Sequence, residues 1–131
     1  MSRKKRKPTN KKEAVKKKSG IEEKVEKIIE KFDISYTDQA CLGKYTVDFL
    51  VDDKYIIECY GDFWHCNPTK YTGSFFNKGA KKTAQEIWER DKKRKDELEK
   101  MGYKFLCLWE SEINATTKLV SSKIKKFINP K

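Results

Sequence analysis

The apolar residues between positions 20 and 32 recur three or four residues apart, which is the spacing of one helix face. These residues are Ile21, Val25, Ile28, Ile29 and Phe32. Ser19 precedes them as an N-terminal cap, and Glu22 stands three residues later, as in a capping box. The pattern predicts an amphipathic helix over residues 20–32. It also gives Glu22 a structural role that is independent of any chemistry.

Two later segments also show helical spacing. Residues 81–101 are highly charged but carry an apolar stripe, and Gly102 follows as a C-terminal cap. The stripe consists of Ala84, Ile87, Trp88, Leu98 and Met101. A last helix near the C-terminus is predicted by Val120, Ile124, Phe127 and Ile128.

Strands are predicted by four short runs that are rich in β-branched and aromatic residues. The runs are residues 34–40, 45–51, 55–60 and 103–109. Residues 42–44 would turn the chain after the first run, and Asp52-Asp53-Lys54 would form a tight turn after the second. The first three strands are therefore expected to follow one another directly.

The order of elements is α-β-β-β-α-β-α, which predicts an α/β fold with a small mixed four-stranded sheet flanked by helices. The 131 residues suffice for one domain. Residues 61–80 contain several glycines and a proline and predict a long loop. A loop of that length in a small domain usually has a function.

Positive charge is concentrated at the N-terminus. The chain has 31 Lys and Arg against 20 Asp and Glu, a net charge of +11, of which residues 1–20 carry +9. We predict a disordered tail over residues 1–18, because such a segment buries too little apolar surface to fold, and a folded domain over residues 19–131. The tail would neutralise DNA phosphates, and a nuclear-localisation segment is the alternative. Its densest basic residues are Lys4, Lys5, Arg6 and Lys7.

Other function classes are excluded by composition. No apolar stretch approaches the roughly 18 residues of a membrane span, and no signal-peptide pattern is present. We therefore expect an intracellular protein without a membrane partner, in the cytoplasm or nucleoid, or in a host nucleus if the tail is a localisation signal. The cysteines lack paired C-x-x-C spacing, which argues against a zinc ribbon. They are Cys41, Cys59, Cys66 and Cys107.

The one histidine, His65, lies among carboxylates. If Asp53 is the centre of its turn, Asp48 faces Glu58 across the hairpin, and Asp91 follows on the charged helix. Directly opposed carboxylates repel each other, so the pair predicts a bound cation. Oxygen ligands at this spacing suit Mg²⁺, or alternatively Mn²⁺.

A histidine beside a hard metal ion can transfer protons at neutral pH, and in a basic protein this favours phosphodiester hydrolysis. An Asp on one strand and a Glu-x-x on the next is also the pattern of the PD-(D/E)XK nucleases. Their final lysine position holds Tyr60 here, which leaves proton transfer to His65. The structural alternatives are a core histidine packed beside Phe63 and Trp64, and an Asp91 on a solvated helix face.

A more specific resemblance rests on ordered motifs. They are Ser19-Gly20-Ile21-Glu22, Val47-Asp48-Phe49, Gly61-Asp62-Phe63-Trp64-His65, Glu89-Arg90-Asp91, and Gly102-Tyr103 through Trp109-Glu110. Over about residues 19–113 the chain resembles the very-short-patch repair endonucleases and their relatives, the EDxHD homing endonucleases of phages and viruses. The resemblance implies a restriction-endonuclease-like core.

The resemblance also implies a role for each matching residue. Asp48 would bind the catalytic metal, with the backbone carbonyl of Cys59 as a second ligand. His65 would act as general base or acid, and Asp91 would orient it or reach the metal through water. Glu22 would lie at the edge of the site.

The sequence departs from the repair enzymes where they bind structural zinc. Asp62 and Ser111 stand at ligand positions and no second histidine exists, so we predict no zinc site. Glu58 is acidic where the repair enzymes tend to be apolar, and Tyr60 replaces a further histidine of theirs. These departures favour the homing type, and they keep Glu58 as a candidate metal ligand.

The sequence therefore predicts a metal-dependent endonuclease that acts on double-stranded DNA as a monomer or a transient dimer. Phe63 and Trp64 would insert between DNA bases, as the resemblance implies. One alternative is a mismatch-repair endonuclease that nicks one strand. The alternative outside enzymes is a DNA-binding module that does not cleave.

Overall fold

The computed structural model describes the backbone of residues 5–6 and all of residues 18–129. The strands of the described residues are β1 (Lys5–Arg6), β2 (Tyr36–Leu42), β3 (Tyr45–Val51), β4 (Tyr55–Tyr60), β5 (Phe76–Asn77), β6 (Lys82–Thr83) and β7 (Lys104–Trp109). Their helices are α1 (Gly20–Glu30), α2 (Ala84–Lys100), α3 (Glu110–Ala115) and α4 (Thr117–Ile128). No helix in the described part of the chain has the length and apolar character needed to cross a membrane.

The main sheet has the strand order β1-β2-β3-β4-β7. Strands β2, β3 and β4 are antiparallel neighbours, whereas β7 pairs with β4 in parallel. A parallel neighbour requires a crossover connection, and the segment that contains α2 supplies it. The predicted α/β fold with a mixed four-stranded sheet flanked by helices is confirmed.

The two-residue strand β1 was not predicted. It pairs in parallel with the edge of β2, at Lys5↔Tyr36 and Arg6↔Thr37, where an edge strand offers unpaired backbone groups. The sequence predicted a disordered tail over residues 1–18, whereas Lys5 and Arg6 form this strand. The rest of that tail up to residue 17, with Lys4 and Lys7, lies outside the described residues.

The hairpin of β3 and β4 has the predicted register. Phe49 pairs with Ile57 and Val51 pairs with Tyr55, which centres the turn on Asp53 as the sequence predicted. The turn spans residues 52–54, and Asp52 and Asp53 have positive φ angles of 55° and 54°, a conformation that Asp tolerates in turns. The ladder ends at Phe49 and Ile57, directly before Asp48 and Glu58.

The sheet buries a different apolar cluster on each face, as the alternation along its strands requires. One cluster joins α1 and α4 to β3 and β4 and includes Val25, Ile29, Phe49, Ile57 and Ile124. The other includes Leu50, Ile56 and Leu98 and packs α2 against the opposite face. The α2 face of the sheet is the face that carries Asp48 and Glu58, because residues two apart on a strand share a face.

The segment 61–80 is more ordered than the predicted loop. It carries β5 of the β5–β6 hairpin and contributes to a small third core formed by Cys66, Ala84 and Ile87. The Trp88 indole donates a hydrogen bond to the Cys66 carbonyl at 2.7 Å and ties the segment to α2. Helix α2 begins three residues later than predicted, because Thr83 and Glu86 form a capping box.

Two further element boundaries differ from the prediction. The first long strand covers Tyr36–Leu42 and not residues 34–40, and the six-residue helix α3 was not predicted. Helix α1 starts where its capping box predicts, since Ser19 accepts from the Glu22 amide and the Glu22 carboxylate accepts from the Ser19 amide.

Candidate active site

A cleft of about 340 Å³ opens between the sheet and α2. All six residues that the sequence proposed for proton transfer or metal binding line it: Glu22, Asp48, Glu58, Cys59, His65 and Asp91. They come from α1, β3, β4, the segment after β4, and α2. The fold therefore brings together residues that are up to 69 positions apart in the sequence.

Asp48 lies where the sheet loses its regular hydrogen bonds. The Cys59 amide donates to Asp48 Oδ2 at 2.8 Å, and the Asp48 amide donates to Glu58 Oε2 at 3.4 Å. On the other side, the ladder between β2 and β3 skips Gln39, which has a φ angle of 52°. Side-chain oxygens thus replace backbone carbonyls around Asp48, and the sheet opens at that point.

The same geometry orients the backbone carbonyl of Cys59. In a strand the amide and carbonyl of one residue point to the same side. The Cys59 amide points at Asp48, so the carbonyl also points towards β3, where no ladder partner is present beyond Ile57. The carbonyl that the resemblance implies as a metal ligand is therefore directed to the Asp48 side of β4.

Negative charge accumulates around Asp48. Burial raises the pKa of Asp48 to about 8, with further contributions from a hydrogen bond to Glu22 and the charge of Glu58. Glu22 and Glu58 are themselves buried. A buried carboxyl with a raised pKa has too little positive charge nearby to stabilise its ionised form, and this is the property expected of a carboxylate that binds a cation.

Glu58 has a partner that the sequence did not reveal. Arg94 of α2 binds both Glu58 oxygens, with Nη2 at 3.0 Å from Oε2 and Nη1 bonded to Oε1. Nη2 also donates to the Thr46 carbonyl at 2.8 Å. That Glu58 is a metal ligand stays a prediction, and Arg94 matches the Glu58 charge from the facing helix.

A signal for Arg94 was present in the sequence. Ile87 and Leu98 are fully buried on α2, and Asp91 and Arg94 lie between them at the same helical spacing. The apolar stripe of α2 is thus interrupted by two charged residues on its buried face. A gap of this kind in an amphipathic pattern indicates that charged side chains face the protein interior.

His65 and Asp91 form a hydrogen-bonded pair. His65 Nδ1 lies 2.8 Å from Asp91 Oδ2, and the other Asp91 oxygen accepts from Arg90 Nε at 3.2 Å. The imidazole stacks on the Tyr60 ring at 4.0 Å with an interplanar angle of 6°. With Nδ1 bonded to Asp91, Nε2 is the ring nitrogen left for a substrate or water. This arrangement differs from both structural alternatives, a core histidine packed beside Phe63 and Trp64 and an Asp91 on a solvated helix face.

Tyr60 supports His65 by stacking. Burial raises the pKa of Tyr60, and the charge of Glu58 raises it further. The hydroxyl therefore stays protonated at neutral pH. Tyr60 supplies no positive charge, and the cationic group on this side of the cleft is Arg94.

The turn that presents His65 is held by one backbone hydrogen bond and one from a side chain. The His65 amide donates to the Gly61 carbonyl at 3.1 Å, and Asn77 Nδ2 donates to the Phe63 carbonyl at 2.8 Å. Asn77 is fully buried. Phe63 and Trp64 remain 39% and 56% exposed, so both aromatic side chains that were predicted to contact DNA lie at the surface.

Asp62 and Ser111 belong to one polar network. Asp62 accepts from Lys70 Nζ at 2.8 Å, from Asn67 Nδ2 at 3.0 Å and from the Ser111 amide at 3.4 Å. Burial alone would raise the pKa of Asp62, but these hydrogen bonds lower it below its usual range. The network ties the segment after β4 to the start of α3 through ordinary hydrogen bonds.

The donor set fits a cation with few protein ligands. Within residues 18–129 no three His, Cys, Asp or Glu side chains are grouped as a ready metal site. Mg²⁺ usually keeps several waters and is held by one or two carboxylates. Asp48, the Cys59 carbonyl and the nearby Glu22 therefore fit Mg²⁺, while they fit poorly to a metal that needs four protein ligands.

Comparisons with known proteins support the fold. No protein-family model matches the chain, and no curated protein matches it significantly. Among solved structures, the catalytic domain of the homing endonuclease I-Bth0305I is similar, with a TM-score of 0.59 and 24% sequence identity. The match covers 84% of this chain and 94% of that domain. The similarity shows that the two share a fold.

Proposed function

We propose that this chain is a Mg²⁺-dependent DNA endonuclease that hydrolyses phosphodiester bonds. The observation that carries the proposal is the His65–Asp91 pair, which lines the same cleft as Asp48. A positioned imidazole can act as a general base, and a carboxylate can hold the hard cation that assists hydrolysis. The similarity to a homing endonuclease catalytic domain supports the same class of reaction.

Asp48 and the Cys59 carbonyl would hold the cation, and Glu22 would reach it directly or through water. A bound Mg²⁺ would supply Lewis-acid polarisation of the phosphate and would offset the negative charge around Asp48. It would also remove the repulsion among these carboxylates. Glu58 would act by fixing Arg94.

His65 would accept the proton of the attacking water. When Nδ1 donates its hydrogen to Asp91, Nε2 is unprotonated and can act as a base. Asp91 then stabilises the imidazolium that forms, and the Tyr60 ring fixes the plane of the imidazole. Arg90 and Arg94 line the same cleft, and their guanidinium groups would face the phosphate.

We further propose that the enzyme is of the phage or viral homing type. The solved homing endonuclease domain is matched over nearly its whole length. Duplexes with mismatches and intact genomic target DNA would be offered in parallel, and preferential cutting of intact DNA is expected. Preferential nicking at mismatches would instead support a repair enzyme. One chain presents one such cleft among its described residues, so a double-strand break would need a second chain or a second binding event.

A plasmid-nicking assay tests the proposed activity. Wild-type protein is expected to nick supercoiled plasmid with Mg²⁺ and not with EDTA. Asp48→Asn is expected to abolish cleavage while DNA binding remains, and His65→Ala to slow it by about 10²–10⁴-fold, the usual contribution of a general base. Asp53→Asn is the matched control, since it makes the same change in the exposed turn of the same hairpin. Undiminished Mg²⁺-dependent cleavage by Asp48→Asn would overturn the assignment.

A further inference from the structure

The hairpin of β5 and β6 carries a positive charge that no acidic residue nearby in the sequence offsets. Residues 63–85 contain four Lys and no Asp or Glu, whereas the rest of residues 21–131 contains 17 Lys and Arg against 19 Asp and Glu. Three of the four lysines lie in or beside the hairpin loop and are exposed. They are Lys78, Lys81 and Lys82, and we call residues 78–82 the lysine loop.

The lysine loop is held in a defined shape by the buried side chain of Asn77. Asn77 pairs with Lys82 at the end of the hairpin ladder, so residues 78–81 connect the two strands. The Ala80 amide donates to Asn77 Oδ1 at 3.0 Å, and Lys81 has a positive φ angle of 57°. A lysine at positive φ is uncommon and is maintained only where the surrounding contacts fix the backbone. The loop therefore presents its lysines from a fixed backbone.

The same asparagine connects the lysine loop to the turn that presents His65. Asn77 Nδ2 donates to the Phe63 carbonyl at 2.8 Å, two residues before His65. Gly79 lies against the Trp64 ring, since a Cβ at this glycine would be 2.7 Å from two ring carbons. Trp64 directly precedes His65 in the sequence. The position of the lysine loop is thus tied to the position of the imidazole.

The lysines of α2 differ from those of the loop because carboxylates lie beside them. Lys92 Nζ is 2.8 Å from Asp96, and Lys95 Nζ is 3.7 Å from Glu99. Within the described part of the chain, no carboxylate forms an ion pair with any lysine of the loop. Several adjacent cations without counter-charges on the protein favour a polyanion over a single small anion, because a polyanion releases a counterion at each contact.

We infer that the lysine loop binds the sugar-phosphate backbone of duplex DNA beside the phosphate that is cleaved. The inference rests on the proposed function, because it takes the scissile phosphate to lie at His65. Phosphate contacts fix the register and orientation of a protein on a duplex but carry no sequence information. The loop therefore positions the cleft on the DNA strand and does not select its sequence. This contact involves charge on the outside of the duplex and is separate from any insertion of aromatic side chains between bases.

The salt dependence of DNA binding measures the number of such contacts. The probe is a short fluorescein-labelled duplex, titrated by fluorescence anisotropy at several salt concentrations in EDTA so that no strand is cut. Each phosphate contact contributes roughly 0.9 to the slope of log K against log salt, so glutamine at all three loop lysines is expected to lower that slope by about 2–3. The matched control places glutamine at three exposed lysines of α4, and a smaller change is expected there. The control positions are Lys118, Lys125 and Lys126.

Two further variants separate the charge of the loop from its shape and from contacts with bases. Arginine at all three loop positions keeps the charge, and it is expected to keep the wild-type slope. Trp64→Ala removes no charge, so it is expected to leave the slope unchanged even where it weakens binding.

A glutamine variant of the loop with the wild-type slope, or with no larger a change than the α4 control, would overturn the inference. An equal loss of slope in the arginine variant would also overturn it, because charge would then not be the cause. A lower slope in a protein that never nicks plasmid DNA would leave the contact assigned and refute the proposed activity. Mg²⁺-dependent nicking with an unchanged slope would do the reverse.

Discussion

Metal binding needs Asp48 in its ionised form, whereas the metal-free folded protein is more stable with Asp48 protonated. Its pKa in the folded protein, about 8, lies above that of an exposed aspartate because of burial, Glu22 and Glu58. Folding therefore favours the protonated form, and the stabilising contribution of that form is lost as the pH rises towards 8. Without a cation, the protein is expected to become less stable between pH 5 and pH 8.

Asp48→Asn is expected to raise the melting temperature of the metal-free protein at pH 8 by at least about 4 °C. One pKa unit corresponds to about 1.4 kcal/mol, and 1 kcal/mol shifts the melting temperature of a domain near this size by roughly 4 °C or more. The asparagine keeps an oxygen for the Cys59 amide. Mg²⁺ should raise the melting temperature of the wild type only. Differential scanning calorimetry at pH 5 and pH 8 measures both effects, and equal values for the two proteins at pH 8 would contradict the prediction.

The Glu58–Arg94 pair is expected to be strongly coupled. Glu58 is 7% exposed and Arg94 22% exposed at their side chains, and removal of one member of a buried pair costs roughly 3–5 kcal/mol. Glu58→Gln and Arg94→Gln should each approach the lower end of that range in urea unfolding. The double variant should lose less than the sum of the two. Strict additivity of the three free energies of unfolding would show that the pair is not coupled.

The same variants distinguish the two roles of Glu58. If Glu58 positions Arg94, Glu58→Gln protein should still gain stability on addition of Mg²⁺. If Glu58 is itself a metal ligand, as the sequence predicted, that gain should disappear as it does in Asp48→Asn. The shift in melting temperature between EDTA and saturating Mg²⁺ measures the difference.

At the scale of elements, the sequence predicted the strands and helices that follow a regular apolar period, and it missed those that depend on long-range contacts. The β3–β4 hairpin has a short turn over residues 52–54 that fixes its register, so Asp48 could be placed opposite Glu58 in advance. Arg94 lies on the apolar stripe of α2, which indicates that it faces the interior, but its contact with Glu58 could not be predicted. The contact depends on the crossover that places α2 over the sheet, and no local sequence pattern predicts which residues of the helix and the sheet then meet.

The segment 61–80 illustrates the same limit, because its order comes from polar contacts that composition does not show. Asp62→Ala is expected to remove the shortest hydrogen bond of Asn67 Nδ2 and the partner of the Ser111 amide, at a cost of about 1–3 kcal/mol. Amide hydrogen exchange should become faster over residues 61–83 while β3 and β4 stay protected. Lys70→Met should have a much smaller effect, because the Lys70 side chain is 51% exposed and exposed ion pairs contribute little. Faster exchange in β3 and β4 would show a global effect instead.

For the whole molecule, four long strands and their connections sufficed to predict a mixed sheet, because a final strand after a long helix can add in parallel. The pairing of Lys5 and Arg6 with the edge of β2 could not be predicted, since two residues carry no periodic signal. This pairing gives the N-terminal segment two separable properties, which are its charge and the cover it provides for an edge strand.

The charge of that segment is expected to set the salt dependence of DNA binding. Residues 1–20 carry a net charge of +9, and each phosphate contact contributes roughly 0.9 to the slope of log K against log salt. The tail variant replaces every Lys and Arg of residues 1–17 by glutamine except Lys5 and Arg6, so that β1 is retained. It should lower both the affinity for DNA at low salt and the slope. Glutamine at Lys118, Lys125 and Lys126, which are exposed on α4, should change the slope less per charge removed. A tail variant whose slope equals that of the wild type would mean that the tail does not contact DNA, and would favour its alternative role as a localisation segment.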